Sequence, residues 1–258
     1  MPFDEADYQR ASARTKVPVP HVKAVTFVES SGETFWDLGG RQVVPVRFEA
    51  HWFGKLTRYR FNVTHPDISS QYWNPALAAC TRAGAWEQLE RARALDPVAA
   101  DESTSWGAFQ VMGFHWKRLG YPSVQAFVAS MDANGDDGQM DAFAEFVNAD
   151  QQLQRALQAG DWPTVETLYN GGGQGGAYAK KLAAAALVFT NAGPAIVPRA
   201  MKRGDHGADV SWLQVVLGVP VTGTFDDVTD AAVRRVQGLR GLVVDGIAGA
   251  MTRRVLSL

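Results

Sequence analysis

Cysteine is nearly absent. The single Cys80 in 258 residues cannot form an internal disulfide, so the fold is expected not to depend on an oxidising compartment. A structural thiol within a helix is the expected role for it. Long apolar runs are missing as well. The best candidate, residues 182–189, falls far short of the ~18 residues that cross a bilayer, so no membrane span is expected. Residues 1–14 are polar and mixed in charge, without the apolar core of a signal peptide. The chain is therefore expected to be made in the cytoplasm. Excess charge is lacking too: the net charge is −2, which leaves no field for nucleic acid and no basic block for a membrane surface. Two motif-like stretches fail on their details. Residues 171–176 hold five glycines in six positions, but no Gly-Lys-Ser/Thr follows, which excludes a phosphate-binding loop. The acidic run from Asp132 to Gly138 has Asp137 where a calcium loop needs glycine and Phe143 where it needs glutamate. No metal and no cofactor are expected.

What is present is apolar content for a real core, 46% of the chain, and eight tryptophans. Periodicity is mainly helical. Pro20 can start a helix whose Val22, Val25 and Val28 share a face and which Gly32 can end. Residues 41–52 look extended, and residues 58–63 alternate like a short strand. Helices are expected over 75–96, 111–119, 123–131, 138–148, 151–159, 163–169 and 178–189. Asn191 to Pro198 then reads NAGPAIVP, which cannot continue a helix. This gives a domain over 1–192, a linker at 193–198 and a small domain over 199–258. The last is slightly basic, with eight Lys and Arg against six Asp and Glu. It also holds an internal echo: Gly223-Thr-Phe225-Asp226 and Asp245-Gly246-Ile-Ala-Gly249 each precede a helix, as in a compact three-helix unit.

Three segments could hold chemistry. Glu29 falls near the C-terminal end of a predicted helix, beside Phe27 and Val28. Partial burial and the negative end of the helix dipole both disfavour an ionised carboxyl, which suits a general acid. In Ser105-Trp106-Gly107-Ala-Phe109-Gln110-Val-Met112-Gly113, Gly107 permits close backbone approach, Gln110 offers a donor and an acceptor to a sugar, and an indole such as Trp106 can cover a pyranose face. Tyr169-Asn170 stands at the mouth of the glycine loop that leads to Tyr178.

In this order, Glu29-Ser30, Ser105 to Gln110 and Tyr169 to Gly172 resemble the lysozyme superfamily, in particular goose-type lysozymes and soluble lytic transglycosylases. The likeness is closer to the N-acetylmuramidases of phage endolysins, through Val28-Glu29-Ser30-x-Gly32, Arg47-Phe48-Glu49-x-His51-x-Phe53 and Ser105 to Gly113, and covers residues 18–190. It implies a mainly α (α+β) lysozyme-like domain with a small β-hairpin lobe. It also implies hydrolysis of the bond between N-acetylmuramic acid and N-acetylglucosamine, with Glu29 as catalytic acid. Ser30, Trp106, Gly107, Gln110, Tyr169 and Asn170 would line the sugar site. An inverting hydrolase needs a second carboxylate about 6.5–9.5 Å away, for which Asp37 is the first nominee. A lytic transglycosylase needs none and leaves 1,6-anhydro ends. A wall-binding virion or secretion component without activity is the remaining alternative.

The tail resembles the common three-helix peptidoglycan-binding domain, through Lys202-x-Gly204-Asp205, Leu213-Gln214, Phe225-Asp226-x-x-Thr229 and Asp245-Gly246-x-x-Gly249. It departs from that pattern at Val236, where an aromatic residue is usual. The resemblance implies that Leu213, Gln214, Phe225, Asp226, Thr229, Asp245 and Gly246 serve wall binding. Peptidoglycan is the expected partner, the site of action is the cell wall after release from the host cytoplasm, and a monomer is expected.

Overall fold

A computed structural model describes residues 3–30, 33–133, 136–172, 175–191 and 200–256. The chain begins with helices α1 (Glu5–Thr15) and α2 (Val19–Ser30). Strands β1 (Trp36–Leu38), β2 (Arg41–Val43) and β3 (Val46–Phe48) follow, then α3 (Ala50–Leu56), α4 (Arg82–Leu95) and α5 (Pro97–Glu102). Next come β4 (Thr104–Trp106), β5 (Val111–Met112), α6 (Val124–Ala133), α7 (Asp136–Asn148), α8 (Gln151–Ala159), α9 (Trp162–Tyr169) and α10 (Ala177–Asn191). The chain closes with α11 (Ala208–Leu217), α12 (Asp227–Leu239) and α13 (Ala250–Val255). The mainly helical class and the small β-hairpin are as expected. The chain packs as two compact units: Met1–Val17 with Gly32–Gln154, and Pro18–Ser31 with Arg155–Leu258. The linker expected at 193–198 lies in 192–199, outside the described residues.

In the first unit, α1 starts with a reciprocal capping box between Asp4 and Asp7 and docks on α7. Arg14 there pairs with Glu145 at 2.6 Å and also with Asp141, while Arg10 pairs with Asp137. The β1–β2 hairpin is antiparallel, and β3, β4 and β5 form a second antiparallel sheet in that order. Phe53, Phe109, Phe127, Phe143 and Trp106 are fully buried in its core.

Several local expectations are corrected. Residues 58–63 form consecutive turns, with Arg58 and Tyr59 both left-handed (φ 53° and 63°), so their alternation builds no strand. The helix expected over 75–96 is broken: Pro75–Leu77 is a single 3₁₀ turn, and α4 begins only where the Thr81 hydroxyl caps the Gly84 N–H at 3.0 Å. Cys80 is exposed and precedes that helix. Residues 111–119 give β5 and a 3₁₀ turn, Gly113–His115, instead of a helix. Gly113 is dictated by packing, since a Cβ there would lie 2.0 Å from the Asp101 carbonyl oxygen.

His115, on that turn, sits edge-on to Phe114 and Phe146 with ring centroids 4.4 and 5.3 Å away. Burial, with help from the Arg118 charge, lowers its pKa to about 4. The depressed folded value gives stability that is present above the ordinary histidine range and lost as pH falls from 6.5 toward 4. That loss is on the order of 3 kcal/mol. Urea unfolding of the wild type at pH 7 and pH 4 is expected to show it, and His115→Phe is expected to remove that share.

In the second unit, α10 packs along α2 and against α9 and α11. Val22, Val25, Leu157, Val165, Leu182 and Ala185 are buried there. Trp212 of α11 lies against Phe27 of α2 and Phe189 of α10, with centroids 4.0 and 4.8 Å away. Met201, Val210, Leu213, Phe225, Val233 and Ala248 form the core of the last three helices.

The sequence echo in this region becomes a repeated hydrogen-bond device. The buried Gln214 amide nitrogen donates to Thr222 Oγ1, Thr224 O and Thr229 Oγ1, and its oxygen accepts from the Gly223 N–H. At the same offsets, Gln237 donates to Asp245 Oδ1, Ile247 O and Thr252 Oγ1 and accepts from the Gly246 N–H. Each glutamine ties one glycine turn to the helix after it. Gly246 (φ 75°) is held to glycine, since a Cβ would lie 2.3 Å from Asp230 Oδ1.

Candidate active site

Glu29 stands one residue before the end of α2, half-buried, and the first turn of α10 reaches it. Tyr178 Oη donates to Glu29 Oε1 in a short hydrogen bond. Tyr178 is itself buried. Its hydroxyl is pushed far above the usual tyrosine range, first by burial and then by the Glu29 charge. Tyr169, the last residue of α9, is shifted the same way and for the same two reasons. Both phenols therefore stay protonated at any working pH, as donors beside one carboxyl.

Glu166, one turn before Tyr169, holds this arrangement in place. Its buried carboxylate accepts the Gly176 N–H at 3.0 Å and the Ala179 N–H at 2.9 Å, capping the start of α10 where Tyr178 sits. Its carbonyl accepts the Asn170 and Gly172 N–H groups at 3.2 and 3.1 Å. One side chain and its own peptide thus pin both sides of the glycine loop, whose residues 173–174 lie outside the described residues. Neither the Tyr178 contact nor the role of Glu166 was visible in the sequence. Tyr178 was flagged only as the end of the glycine loop, and Glu166 carried no signal beyond its place one turn before Tyr169.

The structure thus brings Glu29 and Tyr169 together, and Asn170 caps α9 from an exposed position. Ser30 ends α2, and its side chain lies outside the described residues. The Ser105–Gly113 segment belongs to the first unit. There Trp106 corrects the sequence reading: it is 1% exposed, donates its indole N–H to the Asp101 carbonyl at 3.0 Å and packs edge-on to Trp86. A ring so enclosed offers no face to a sugar. Gly107 (φ 73°) is required by an internal neighbour. The buried Gln139 amide lies 3.0 Å from where its Cβ would be and accepts the Ala108 N–H while donating to Thr34 O. Gln110 is half-buried and left-handed (φ 50°), held by two bonds to the Gly107 carbonyl at 3.0 and 3.1 Å. Such a conformation in a non-glycine residue fixes where its amide is presented.

Asp37 is exposed on β1, and its Oδ1 accepts the Gly40 N–H at 2.7 Å, closing the hairpin turn. That is the bond of an Asx turn, and asparagine makes it equally well. Asp37→Asn is therefore expected to leave wall cleavage within about twofold of wild type, the scatter of ordinary surface substitutions. A turbidity assay on purified walls checks this.

The residues nominated for wall binding build the tail domain from within. Leu213, Gln214, Phe225 and Thr229 are buried. Asp226 caps α12 through the Thr229 N–H, and Asp245 accepts the Ile247 N–H. Both aspartates are held below the usual carboxylate range, the first by Thr229 and the second by Ile247. The large apolar side chains this domain shows to solvent are others, among them Leu239, Val243 and Met251. Arg234, read as a solvated helix face, instead binds Asp230 and the carbonyls of Val244 and Asp245.

Among the described residues, no group of three or more His, Cys, Asp or Glu side chains is placed to hold a metal ion, and no helix is long and apolar enough to cross a membrane. Residues 18–190 match the N-acetylmuramidase family model. The chain belongs to the N-acetylmuramidase family. Residues 206–256 match a peptidoglycan binding domain. The crystal structure of the Burkholderia AP3 phage endolysin is similar to this muramidase at 36% identity and a TM-score of 0.62, over 72% of this chain and 69% of that one. No curated protein matches the chain. The muramidase is thus a cell-wall hydrolase with peptidoglycan as its partner.

Proposed function

We propose that this muramidase cleaves the glycosidic bond between N-acetylmuramic acid and N-acetylglucosamine by hydrolysis, with Glu29 as general acid. The observation that supports this is the Tyr178–Glu29 hydrogen bond at the end of α2. A general acid must be held at one place and one rotamer to hand its proton to the leaving oxygen. Tyr178 fixes the Oε1 oxygen, which leaves the other oxygen to face the substrate. Tyr169 adds a second protonated phenol beside the same carboxyl. As the bond breaks, positive charge develops at the anomeric carbon, and the carboxylate left on Glu29 stabilises it until water adds. Gln110 and Asn170 are assigned to the sugar's acetamido and hydroxyl groups. The biological setting that fits is lysis of a bacterial wall by a monomeric enzyme that its tail domain keeps on the polymer.

Tyr178→Phe tests this reading. A donor to a carboxylate favours its ionised form, so removing that donor favours the protonated form. The alkaline limb of the pH–rate profile is expected to move to higher pH. The maximal rate is expected to fall about 10–100-fold, as Glu29 loses its brace. An unchanged profile and rate would contradict the role given to the pair.

A further inference from the structure

A second feature of the first unit is an open pocket of about 350 Å³ whose rim includes Arg47, Glu49, His51, Trp73, Pro75 and Leu77. Glu49 stands at the N-cap of α3, yet its side chain makes no capping bond. The carboxylate is held instead between Arg47 Nε at 3.0 Å and His51 Nδ1 at 3.5 Å, and is only 17% exposed. Trp73 lies opposite in chemical character: a large indole, 59% exposed. Among the described residues no aromatic ring packs on it. Burial lowers the His51 pKa, its largest influence, so the imidazole is neutral at pH 7. The Arg47 charge is balanced by Glu49. The pocket therefore has an aromatic face and several fixed donors and acceptors, but no net charge.

That combination suits neither an anion nor a cation. It suits a ligand with one apolar face and a ring of hydroxyl and amide groups. We propose that this pocket is a saccharide subsite for an N-acetylated hexosamine of the glycan strand, with the sugar ring stacked on Trp73 and its polar groups bonded to Glu49 and His51. The choice of an N-acetylated sugar rests on the muramidase reading above. Arg47 acts through Glu49, holding its carboxylate toward the pocket instead of the helix end.

The test uses the full chain carrying Glu29→Gln, so that no bond is cut, with ¹⁵N-labelled tryptophan side chains and chitotetraose as probe. The Trp73 indole N–H signal is identified by its absence from Trp73→Ala. It is expected to shift saturably on titration. Trp73→Ala is expected to weaken chitotetraose binding about tenfold, with Trp73→Tyr restoring most of it. Trp73 is exposed, so these variants are expected to melt as the parent does. A Trp73 signal that stays fixed up to millimolar chitotetraose would overturn the proposal, whether or not other signals move. The two readings separate cleanly. A responding Trp73 in a chain whose wild type releases no wall fragments keeps the subsite and removes the muramidase reading. Fragment release with a silent Trp73 does the reverse.

Discussion

Glu29→Gln is expected to abolish wall cleavage, lowering the rate by about 10²–10⁴-fold, while leaving the fold and wall binding in place. Glutamine has the shape of glutamate and still accepts the Tyr178 hydroxyl through its amide oxygen, so α2 and α10 keep their contact. What it lacks is a transferable proton. The side chain is half-buried at a helix end and is not part of the apolar core, so its amide adds little strain. The loss is therefore expected in the maximal rate, with thermal unfolding unchanged and sedimentation with insoluble walls intact, since the peptidoglycan binding domain lies in residues 206–256. A turbidity assay, a melting curve and a pull-down on the same preparation separate these outcomes. A variant that lysed walls at the wild-type rate would remove Glu29 from the mechanism.

The second large effect is one of stability. Arg93→Ala is expected to destabilise the first unit by about 3–5 kcal/mol at pH 7, because it strands a buried charge. Asp101 is 4% exposed and bonded by Arg93 Nε at 2.7 Å. Burial raises the pKa of Asp101 even with Arg93 present. The same guanidinium lies over the rings of Trp86 and Trp106, 5.8 and 5.4 Å from their centroids, so the variant also loses packing. A raised folded pKa means that Asp101 favours the fold when protonated, and that this contribution fades as pH rises through the folded value. The cost of Arg93→Ala is therefore expected to shrink toward pH 4, and adding Asp101→Asn is expected to recover part of it at pH 7. Urea unfolding of the single and double variants at both pH values checks the sign.

How much of this was legible in the sequence depends on whether a residue acts through its neighbours in the chain or through distant ones. Glu29 was legible because a helix end and its following residues are local. Its partner was not, because Tyr178 lies 149 positions away and only the packing of α10 on α2 joins them. Trp106 was misread for a related reason. An indole beside Gly107 and Gln110 looks the same in sequence whether it faces a sugar or Trp86, and only burial decides. Residues 58–63 alternate as a strand should, but two left-handed residues redirect the chain. Helix α1 was passed over for lack of an apolar stripe, although its Asp4 and Asp7 cap was written in the sequence. The tail was the most readable part. Its glycine turns announced a repeat, and the structure adds why each turn is followed by a helix, through Gln214 and Gln237.

The most direct measurement is mass spectrometry of the fragments released from purified peptidoglycan by the wild type and by Glu29→Gln. Fragments ending in reducing N-acetylmuramic acid, absent from the Glu29→Gln digest, are the expected result. Fragments ending in 1,6-anhydromuramic acid or in reducing N-acetylglucosamine, or equal release by the variant, would contradict hydrolysis of this bond with Glu29 as the acid.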